Sequence, residues 1–472
     1  MGYVLGEDRT QSVLFPECLD DYVLLENPIR FVDAFVERLE LSELGFQKAE
    51  PKELGRPAYH PGLLLRLYIY GYLNNIRSSR KLERETHRNV ELMWLMGKLT
   101  PDHKTIADFR KDNLAAIKNV WREFSKLCKE MKLFGGELVA VDGSKFRASN
   151  SRERNYTKQK LENLISRIDR RIEEYLAELE EGDRREAETK DPTAQELKEK
   201  IEALKNRKQT HQQRQEKLNE SGETQISLTD EDSRMMKTRE GSNVCYNVQM
   251  AVDSKHKLIA AFEVTNAVND FQQLASIAKQ AKQELGVEKL EAVADRGYYD
   301  CGEVKECEED GITVYMEKRP LNENNGLFTK DDFRYNAEKD VYVCPAGKEL
   351  GYKREVKEKG RQVKHYETSA CLNCLKKSSC TRGKKRTIKR LADEEVVERM
   401  MARVRAGPDK LKLRKQLVEH PFGTIKRSMG QGYFLMRGKL KVGTEIGLTS
   451  MAYNMKRVIN IVGVTKMLEA LM

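Results

Sequence analysis

Three acidic residues of this 472-residue chain stand where a catalytic site could form. Asp142 and Asp295 each close a short apolar run, VAVD and AVAD, and each is followed by a glycine-containing turn. This pattern predicts a strand that ends in an exposed carboxylate. If the two strands are neighbours, the carboxylates repel each other unless a cation offsets their charge. Either aspartate taken alone is more simply explained as a turn residue.

Glu419 is the third acid, in a predicted helix. Lys415 lies one turn before it and Lys426 seven residues after it, which is nearly two turns of a regular helix. One helical face is therefore expected to carry a carboxylate between two cations. We interpret Asp142, Asp295 and Glu419 as ligands of Mg²⁺ or Mn²⁺, which prefer oxygen donors. Lys415 and Lys426 are expected to contact DNA phosphates.

A second group of residues suits a metal of another kind. Cys344 is followed at a distance by Cys371, Cys374 and Cys380, the last three in the pattern CLNCLKKSSC. Four thiols can surround one Zn²⁺, and the two-residue gap is typical of zinc ligands, although the final gap is longer than usual. The alternative is four reduced thiols in a flexible insertion. The nearby run KKSSCTRGKKRTIKR suits contact with a DNA backbone or a solvated loop about equally.

The elements that must position the acids follow a mixed α/β order. A strand, a hairpin, a helix, a strand, a helix and another strand are predicted, in that order, from ELVAVDGSKF, NVCYNVQMAVD with KLIAAFEVT, FQQLASIAKQAKQEL, KLEAVADRGYYD, GEVKECEED and ITVYMEKR. An insertion and a further helix come next. The fold class is therefore predicted to be α/β with a mixed sheet.

The region ahead of the first strand reads as several amphipathic helices. Thr100 or Asp102 can cap a helix that offers Lys104, Arg110 and Lys111, and this segment suits either a helix-turn-helix that contacts DNA or ordinary helical packing. After the first strand, apolar residues at alternating spacings of four and three predict two helices joined by a polar loop. A solvated structural arm explains that hairpin better than a specific DNA contact.

The composition limits the class of protein. Lys and Arg number 85 against 75 Asp and Glu, a net charge of +10 that suits a polyanionic partner or a merely basic soluble protein. No apolar run approaches the roughly 18 residues of a membrane span, and the N-terminus lacks the layout of a secretory signal. We therefore expect a cytoplasmic protein without membrane partners. No GxxxxGK[ST] loop occurs, so no nucleotide cofactor is expected.

These motifs resemble those of the DDE transposases of bacterial insertion sequences. The similarity is close around VAVDGSKF, NVQMAVDSKHKLI, AVADRGYYD and VEHPFGTIKR and looser over most of the chain. By this resemblance Asp142 matches the first catalytic acid on the first strand, Asp295 the second after the fourth strand, and Glu419 the third on a later helix. Glu419 and Lys426 fit the family's glutamate and lysine, with six residues between them.

One departure concerns the residues ahead of that glutamate. A related branch of the family carries tyrosine and arginine where this chain has Lys412 and Lys415. A cation is kept at the second position, but the bidentate geometry of arginine is lost.

The resemblance implies a ribonuclease H-like mixed sheet core with an N-terminal all-helical domain. We expect residues 1–134 to form the helical DNA-binding domain and residues 135–319 the first part of the catalytic core, with a helical-hairpin insertion at about 152–220. Residues 320–390 are expected to form the Cys-rich insertion, and 391–472 the C-terminal part of the core that carries Glu419.

The function implied is that of a transposase that binds the ends of an insertion sequence. It would cleave DNA and transfer strands with two Mg²⁺ or Mn²⁺ ions. Double-stranded DNA is the expected partner, contacted also by Arg296 beside the second acid, and a homodimer on DNA is expected because two ends must be joined. The alternatives are a catalytically inactive DNA-binding protein derived from a transposase and a ribonuclease H-like nuclease.

Overall fold

The computed structural model describes residues 18–50, 57–185, 192–318, 326–358 and 361–472, with the side chains of 182–194 left out. Three expected features lie partly outside the described residues. They are the start of the helical domain, the loop of the helical hairpin and the beginning of the Cys-rich insertion.

Fourteen helices are found in the described ranges. In chain order they are α1 (Pro28–Glu37), α2 (Pro61–Leu73), α3 (Ser79–Thr86), α4 (Val90–Leu95), α5 (His103–Asp112), α6 (Leu114–Glu130), α7 (Lys158–Arg185), α8 (Pro192–Ser221), α9 (Leu274–Leu285), α10 (Cys301–Glu309), α11 (Glu394–Ala406), α12 (Asp409–Gly423), α13 (Lys439–Val462) and α14 (Val464–Glu469). Of the two caps expected for α5, Asp102 is the one used, because it accepts the backbone N–H groups of Lys104 and Thr105.

Thirteen strands accompany these helices in the same ranges. They are β1 (Leu138–Arg147), β2 (Asn155–Thr157), β3 (Gln225–Ser227), β4 (Arg234–Thr238), β5 (Gly241–Asp253), β6 (Ile259–Thr265), β7 (Leu290–Val293), β8 (Ile312–Tyr315), β9 (Arg334–Asn336), β10 (Val341–Val343), β11 (Glu349–Glu358), β12 (Arg361–Glu367) and β13 (Ile388–Leu391). The main strands fall where the apolar runs predicted them. The expectation that Asp142 ends its strand is wrong, because β1 continues to Arg147 by pairing with β5.

The principal sheet has six strands and mixed polarity. Its order is β4-β5-β1-β7-β8, and β6 pairs with the later part of the long strand β5. β5 runs antiparallel to β1, whereas β7 is parallel to both β1 and β8. The prediction of a mixed α/β fold is therefore confirmed.

Helices cover both faces of this sheet. On one face α12 and α13 pack with α6 in a large core, and on the other face α9, α10 and α11 enclose a second core. Successive residues of β1 alternate between the two cores, with Ala140 in the first and Val139 and Val141 in the second. Such alternation explains why β1 is apolar on both sides until Asp142.

The N-terminal helices share their core with the sheet. The rings of Trp121 in α6 and Phe262 in β6 pack edge to face, with their centres 5.0 Å apart. Both residues belong to the cluster that contains the buried apolar residues of α1 and α2. α13 packs against α2, α6 and β6. Among the described residues, the hydrophobic core therefore continues across residue 134, where the boundary between the helical domain and the catalytic core was expected. In the described ranges, none of the helices combines the length and apolar character that crossing a membrane requires.

Two smaller units extend from the main body. α7 packs along α8 as the hairpin pattern predicted, above the short ladder of β2 and β3. The Cys-rich region contains a five-stranded antiparallel sheet, in the order β13-β12-β11-β10-β9, for which no strand was predicted. Among the described residues of this region, the apolar cluster at its centre has five buried members, Phe333, Tyr342, Leu350, Tyr366 and Ile388. The sequence there is too polar to show the alternation that identifies a half-buried strand.

A buried ion pair joins the N-terminal helices to α13. Arg77, which follows α2, contacts Glu445 at 3.1 Å, and the two side chains are 6% and 0% exposed. Glu445 also accepts the backbone N–H groups of Leu435 and Met436, and the Arg77 guanidinium lies 4.5 Å from the centre of the Tyr433 ring. The pair therefore fixes the segment after α12 as well as α13.

Breaking this pair should destabilise the whole chain. Glu445→Gln leaves the Arg77 charge buried and unpaired, so we expect the free energy of unfolding to fall by about 3 to 5 kcal/mol. Lys126→Ala, which breaks an exposed pair with Glu123, should change it by less than about 1 kcal/mol. Urea denaturation of the three proteins measures both values. Equal losses in the two variants would contradict this account.

Candidate active site

Asp142 and Asp295 lie side by side at one edge of the principal sheet. β1 and β7 are parallel, and their pairing ends with Ala140 opposite Val293. Asp142 lies two residues further along β1, Asp295 lies two residues beyond Val293, and the charge of Asp295 acts on Asp142. Neighbouring strands are about 4.8 Å apart, which brings the two carboxylates close together. The expected adjacency of the two strands is therefore found, and it follows from the parallel register.

Asp142 is held in a defined orientation. Its Oδ1 accepts the backbone N–H of Gly143 at 2.9 Å, and its Oδ2 lies 3.3 Å from Nη1 of Arg414 on α12. Burial raises the pKa of Asp142 to about 6, and the charges of Asp295 and Asp270 act in the same direction, whereas Arg414 and the Gly143 N–H oppose it. Asp142 is thus a carboxylate whose charge is costly without a cation.

Asp295 begins a tight turn directly after β7. Its Oδ1 accepts the backbone N–H of Gly297 at 2.6 Å, which caps the short helical turn Arg296–Tyr298. The side chain of Arg296, which was expected to contact DNA, belongs to an exposed residue of this turn. The turn therefore fixes the second carboxylate and presents a cation beside it.

Glu419 occupies a different position from the one its spacing suggested. Its side chain is 62% exposed and lies 3.9 Å from that of Lys415, itself 72% exposed. Arg414 of the same helix contacts Asp142 instead. Arg414 and Glu419 are five residues apart, so their side chains point about 140° away from each other around the helix axis. Among the described residues, no group of three or more His, Cys, Asp or Glu side chains is spaced to hold a metal ion.

Lys426 and Glu419 are not related by a regular α-helix, which would have placed them on one helical face. The chain leaves α12 through a π-helical turn, Thr424–Ser428, whose wider i→i+5 bonding changes the rotation per residue. Nζ of Lys426 donates to Ser144 Oγ and to the Lys145 carbonyl, both at 2.6 Å. Its ammonium group, expected to contact phosphate, is bound to β1 here.

The candidates in the N-terminal helices divide into two kinds. Lys104 and Lys111 are exposed on α5. The expectation that Arg110 contacts DNA is wrong, because the residue is only 8% exposed, donates to the Tyr72 hydroxyl and stacks on Tyr68. Arg110 therefore stabilises the helical core.

Three residues of the site were missed at the level of sequence, namely Asp270, Arg414 and Lys145. Asp270 follows β6, and its carboxylate lies 3.4 Å from Nζ of Lys145. A usable signal for Asp270 was an acid in the short polar connection between a predicted strand and a predicted helix. Neither Arg414 nor Lys145 differs in sequence pattern from the many surface cations, since only packing decides which cations turn inward.

The four clustered cysteines line one cavity in the Cys-rich region. Cys344, Cys371, Cys374 and Cys380 surround a space of about 20 Å³, and none forms a disulfide. Burial raises the pKa of Cys380, the Arg386 charge opposes this, and the other three thiols add to it. The structure thus brings together thiols that are up to 36 positions apart in sequence.

The raised pKa of Asp142 makes stability depend on pH. A carboxyl group whose pKa rises from 3.8 to about 6 on folding binds its proton more tightly in the folded chain, so stability falls between these two pH values and stays lower above them. Without divalent cations, Asp142→Asn should therefore raise the free energy of unfolding at pH 8, by up to about 3 kcal/mol. The difference should vanish at about pH 4. Urea denaturation at both pH values tests this, and an equal effect at the two would refute the assignment.

Comparison with known proteins gives two matches to family models. Residues 17–112 match a transposase domain, DUF772, and residues 343–459 match a transposase DDE domain. The second match contains α12 with Glu419, as well as the four clustered cysteines.

Other comparisons add little. No curated protein matches the chain. The solved structure of a piggyBac transposase synaptic complex with hairpin DNA aligns with 95% of this chain and 79% of that chain, at 9% identity and a TM-score of 0.32. A similarity this low bears on neither the fold nor the function. The two family matches support the assignment of this chain to the DDE transposases of insertion sequences.

Proposed function

We propose that this protein binds the ends of an insertion sequence and catalyses DNA cleavage and strand transfer through Asp142, Asp295 and Glu419. The observation that carries the proposal is that Asp142 lies on β1 while Asp295 follows β7, the parallel strand next to it in the principal sheet. Two carboxylates held this close suit a divalent cation and disfavour a merely structural role.

The sheet supports a ribonuclease H-like core. Without the short strands β2, β3 and β4, the remaining strands in chain order are β1, β5, β6, β7 and β8. Asp142 then lies on the first of these strands and Asp295 follows the fourth, as the resemblance to the family implies. α7 and α8 separate β1 from β5 along the chain and would form the helical-hairpin insertion.

The oxygen donors of the site suit Mg²⁺ or Mn²⁺, and binding would require Glu419 to move towards the two aspartates, because the described side chains do not converge as a set of three. Asp142 and Asp295 supply oxygen donors at one sheet edge, and Glu419 is the proposed third ligand. Two bound ions would activate a water or a 3′ hydroxyl and stabilise the leaving oxygen. Gly143 and Gly297 orient the two aspartates through backbone N–H groups, while Arg414 offsets their charge.

Glu419 is available for such a role. Its contact with Lys415 is an exposed pair at 3.9 Å, which holds the carboxylate only weakly. α12 itself is fixed near its start, since Lys410 binds Glu291 of β7 at 2.5 Å. Bringing Glu419 to the aspartates therefore requires a change of side-chain conformation or a local rotation of α12 that releases Arg414.

Exposed cations suit contact with DNA phosphates. Lys104 and Lys111 on α5, Arg296 beside Asp295 and Lys415 on α12 are exposed. Residues 1–134 would form the main DNA-binding region, and two copies of the chain would join two ends. An inactive DNA-binding protein and a ribonuclease H-like nuclease remain the alternatives, and they differ from a transposase in the products they form.

Substitution of the three acids tests the chemistry. Asp142→Asn, Asp295→Asn and Glu419→Gln should each reduce Mg²⁺-dependent cleavage of element ends by at least about 10³-fold while binding to DNA persists, because each removes an oxygen ligand without removing a cation. Gel assays of nicking, strand transfer and end binding measure the three steps separately.

Glu306→Gln on α10 is the matched control, because this acid forms an ordinary pair with Lys279 and has no place in the site. It should cleave at the wild-type rate. Cleavage by any one of the three variants at more than a tenth of that rate would remove its residue from the proposed triad. Wild-type protein that binds ends without cutting them would favour the inactive alternative, and nicking without strand transfer would favour the nuclease.

We also propose that the four cysteines bind one structural Zn²⁺. They line one small cavity, although their spacing in the described structure is wider than that of a metal site, so zinc would have to draw the thiols together. Among the described residues, the apolar cluster of the sheet beside this cavity has five buried members. A tetrahedral metal would supply stability that so small a core lacks. The donors are thiols, so this ion would be separate from the oxygen-bound catalytic ions.

Metal analysis of purified protein tests this second site. The wild type should contain about one zinc per chain, and Cys371→Ser should lose most of it. Cys18→Ser, which changes an exposed cysteine outside the cluster, should keep the wild-type content. Zinc well below one per chain in the wild type would show that the cluster is a set of free thiols.

A further inference from the structure

A third aspartate lies against the strand that carries Asp142. Asp270, in the connection between β6 and α9, receives hydrogen bonds on Oδ1 from Asn247 Nδ2 at 2.7 Å and from Gln249 Nε2 at 2.9 Å. Nζ of Lys145 lies 3.4 Å from the same oxygen. Two donors from β5 and one from β1 therefore hold this carboxylate over the sheet.

Gly143 makes the close approach possible. A Cβ atom at this position would lie within 3.0 Å of Oδ1 of Asp270 and of the Gln249 amide nitrogen, closer than real Cβ atoms approach other atoms. Glycine is thus required directly after Asp142 because the Asp270 carboxylate occupies the side-chain space. The N–H of the same glycine orients Asp142.

An unpartnered polar atom points into the same place. Asn247 is fully buried, and its Oδ1 has no hydrogen-bond partner among the described residues. That oxygen lies 3.0 Å from the position of a Cβ on Gly143. A buried acceptor without a partner costs about 1 to 3 kcal/mol, a cost typical of sites arranged for function.

The network also reaches the second acid. Tyr298, fully buried at the end of the turn that Asp295 caps, donates its hydroxyl hydrogen to Oε1 of Gln249. Gln249 in turn donates to Asp270. The same hydrogen-bonded chain therefore connects the Asp295 turn with Asp270, which packs against the residue that follows Asp142.

We propose that Asp270 is a positioning residue of the metal site. Its carboxylate fixes the backbone at Gly143, and thereby Asp142, while its negative charge beneath the two aspartates strengthens cation binding. The inference rests on the proposed function, because it assumes that Asp142 and Asp295 hold divalent cations.

The cation beside Asp270 does not remove this effect. The distance of 3.4 Å to Lys145 is longer than the roughly 2.7 to 2.9 Å of a strong charge-assisted hydrogen bond. Four cations lie near the three aspartates: Arg414 and Lys426 near Asp142, Lys145 near Asp270 and Arg296 beside Asp295. Removing the negative charge of Asp270 should therefore weaken the attraction of the site for a metal.

Mn²⁺ affinity, measured by titration calorimetry on the full chain without DNA, tests the proposal. Asp270→Asn keeps the shape of the side chain and removes its charge, and it should bind Mn²⁺ about 10- to 100-fold more weakly than the wild type. Glu306→Gln is again the control and should match the wild type within about twofold. An Asp270→Asn protein that also binds within twofold of the wild type would overturn the proposal.

Gly143→Ala provides an independent variant, because it keeps the Asp270 charge but displaces the carboxylate. Its Mn²⁺ affinity should fall as well, and unchanged affinity would count against the positioning role. If circular dichroism shows that both variants fail to fold, Asp270 is a structural residue and the proposal is wrong. A wild-type chain that binds no Mn²⁺ would instead refute the metal site of the proposed function.

Discussion

The repulsion among carboxylates at one edge of the principal sheet is the constraint on which the site depends. Parallel pairing of β1 and β7 places Asp142 beside Asp295, and Asp270 approaches from across β1. Because burial raises the cost of the Asp142 charge, a cation must lie near it. Arg414 and Lys145 fill that role in the described structure.

The arrangement of the site depends on the position of α12. Near its start Lys410 binds Glu291 of β7, and after its end Lys426 binds the backbone of β1. The segment after the π-helical turn pairs with the end of β1, because the backbone N–H of Arg147 donates to the carbonyl of Gly432. Because α12 is held by contacts at both ends, Arg414 contacts Asp142 and Glu419 faces solvent.

The core that supports α12 draws on both ends of the chain. α13 packs between the N-terminal helices and β6, and Asn454 of α13 bonds to the backbone N–H and carbonyl of Ile259 at the sheet margin. The buried Arg77–Glu445 pair then ties the helices to the segment after α12. The N-terminal helices are therefore joined to the elements around the site by packed and ion-paired contacts.

Much of the architecture was determined by the sequence itself. The runs before Asp142 and Asp295 are apolar at every position, so they identified buried strands, and the regular spacing of apolar residues identified α7 and α8. Local rules also sufficed for the Asp102 cap and for the place of Asp295 just after the end of β7. Each of these features depends on neighbours within a few residues.

Tertiary structure decided which side chains meet. Arg414 rather than Glu419 contacts Asp142, Arg110 lies inside the helical core, and a π-helical turn directs Lys426 to β1. The small sheet of the Cys-rich region was also unpredictable, because its strands pair among themselves with few buried residues. The physical reason is common to all of these: charged side chains on a helix have the same local pattern whether they face solvent, a core or a distant carboxylate. Only long-range packing distinguishes the three.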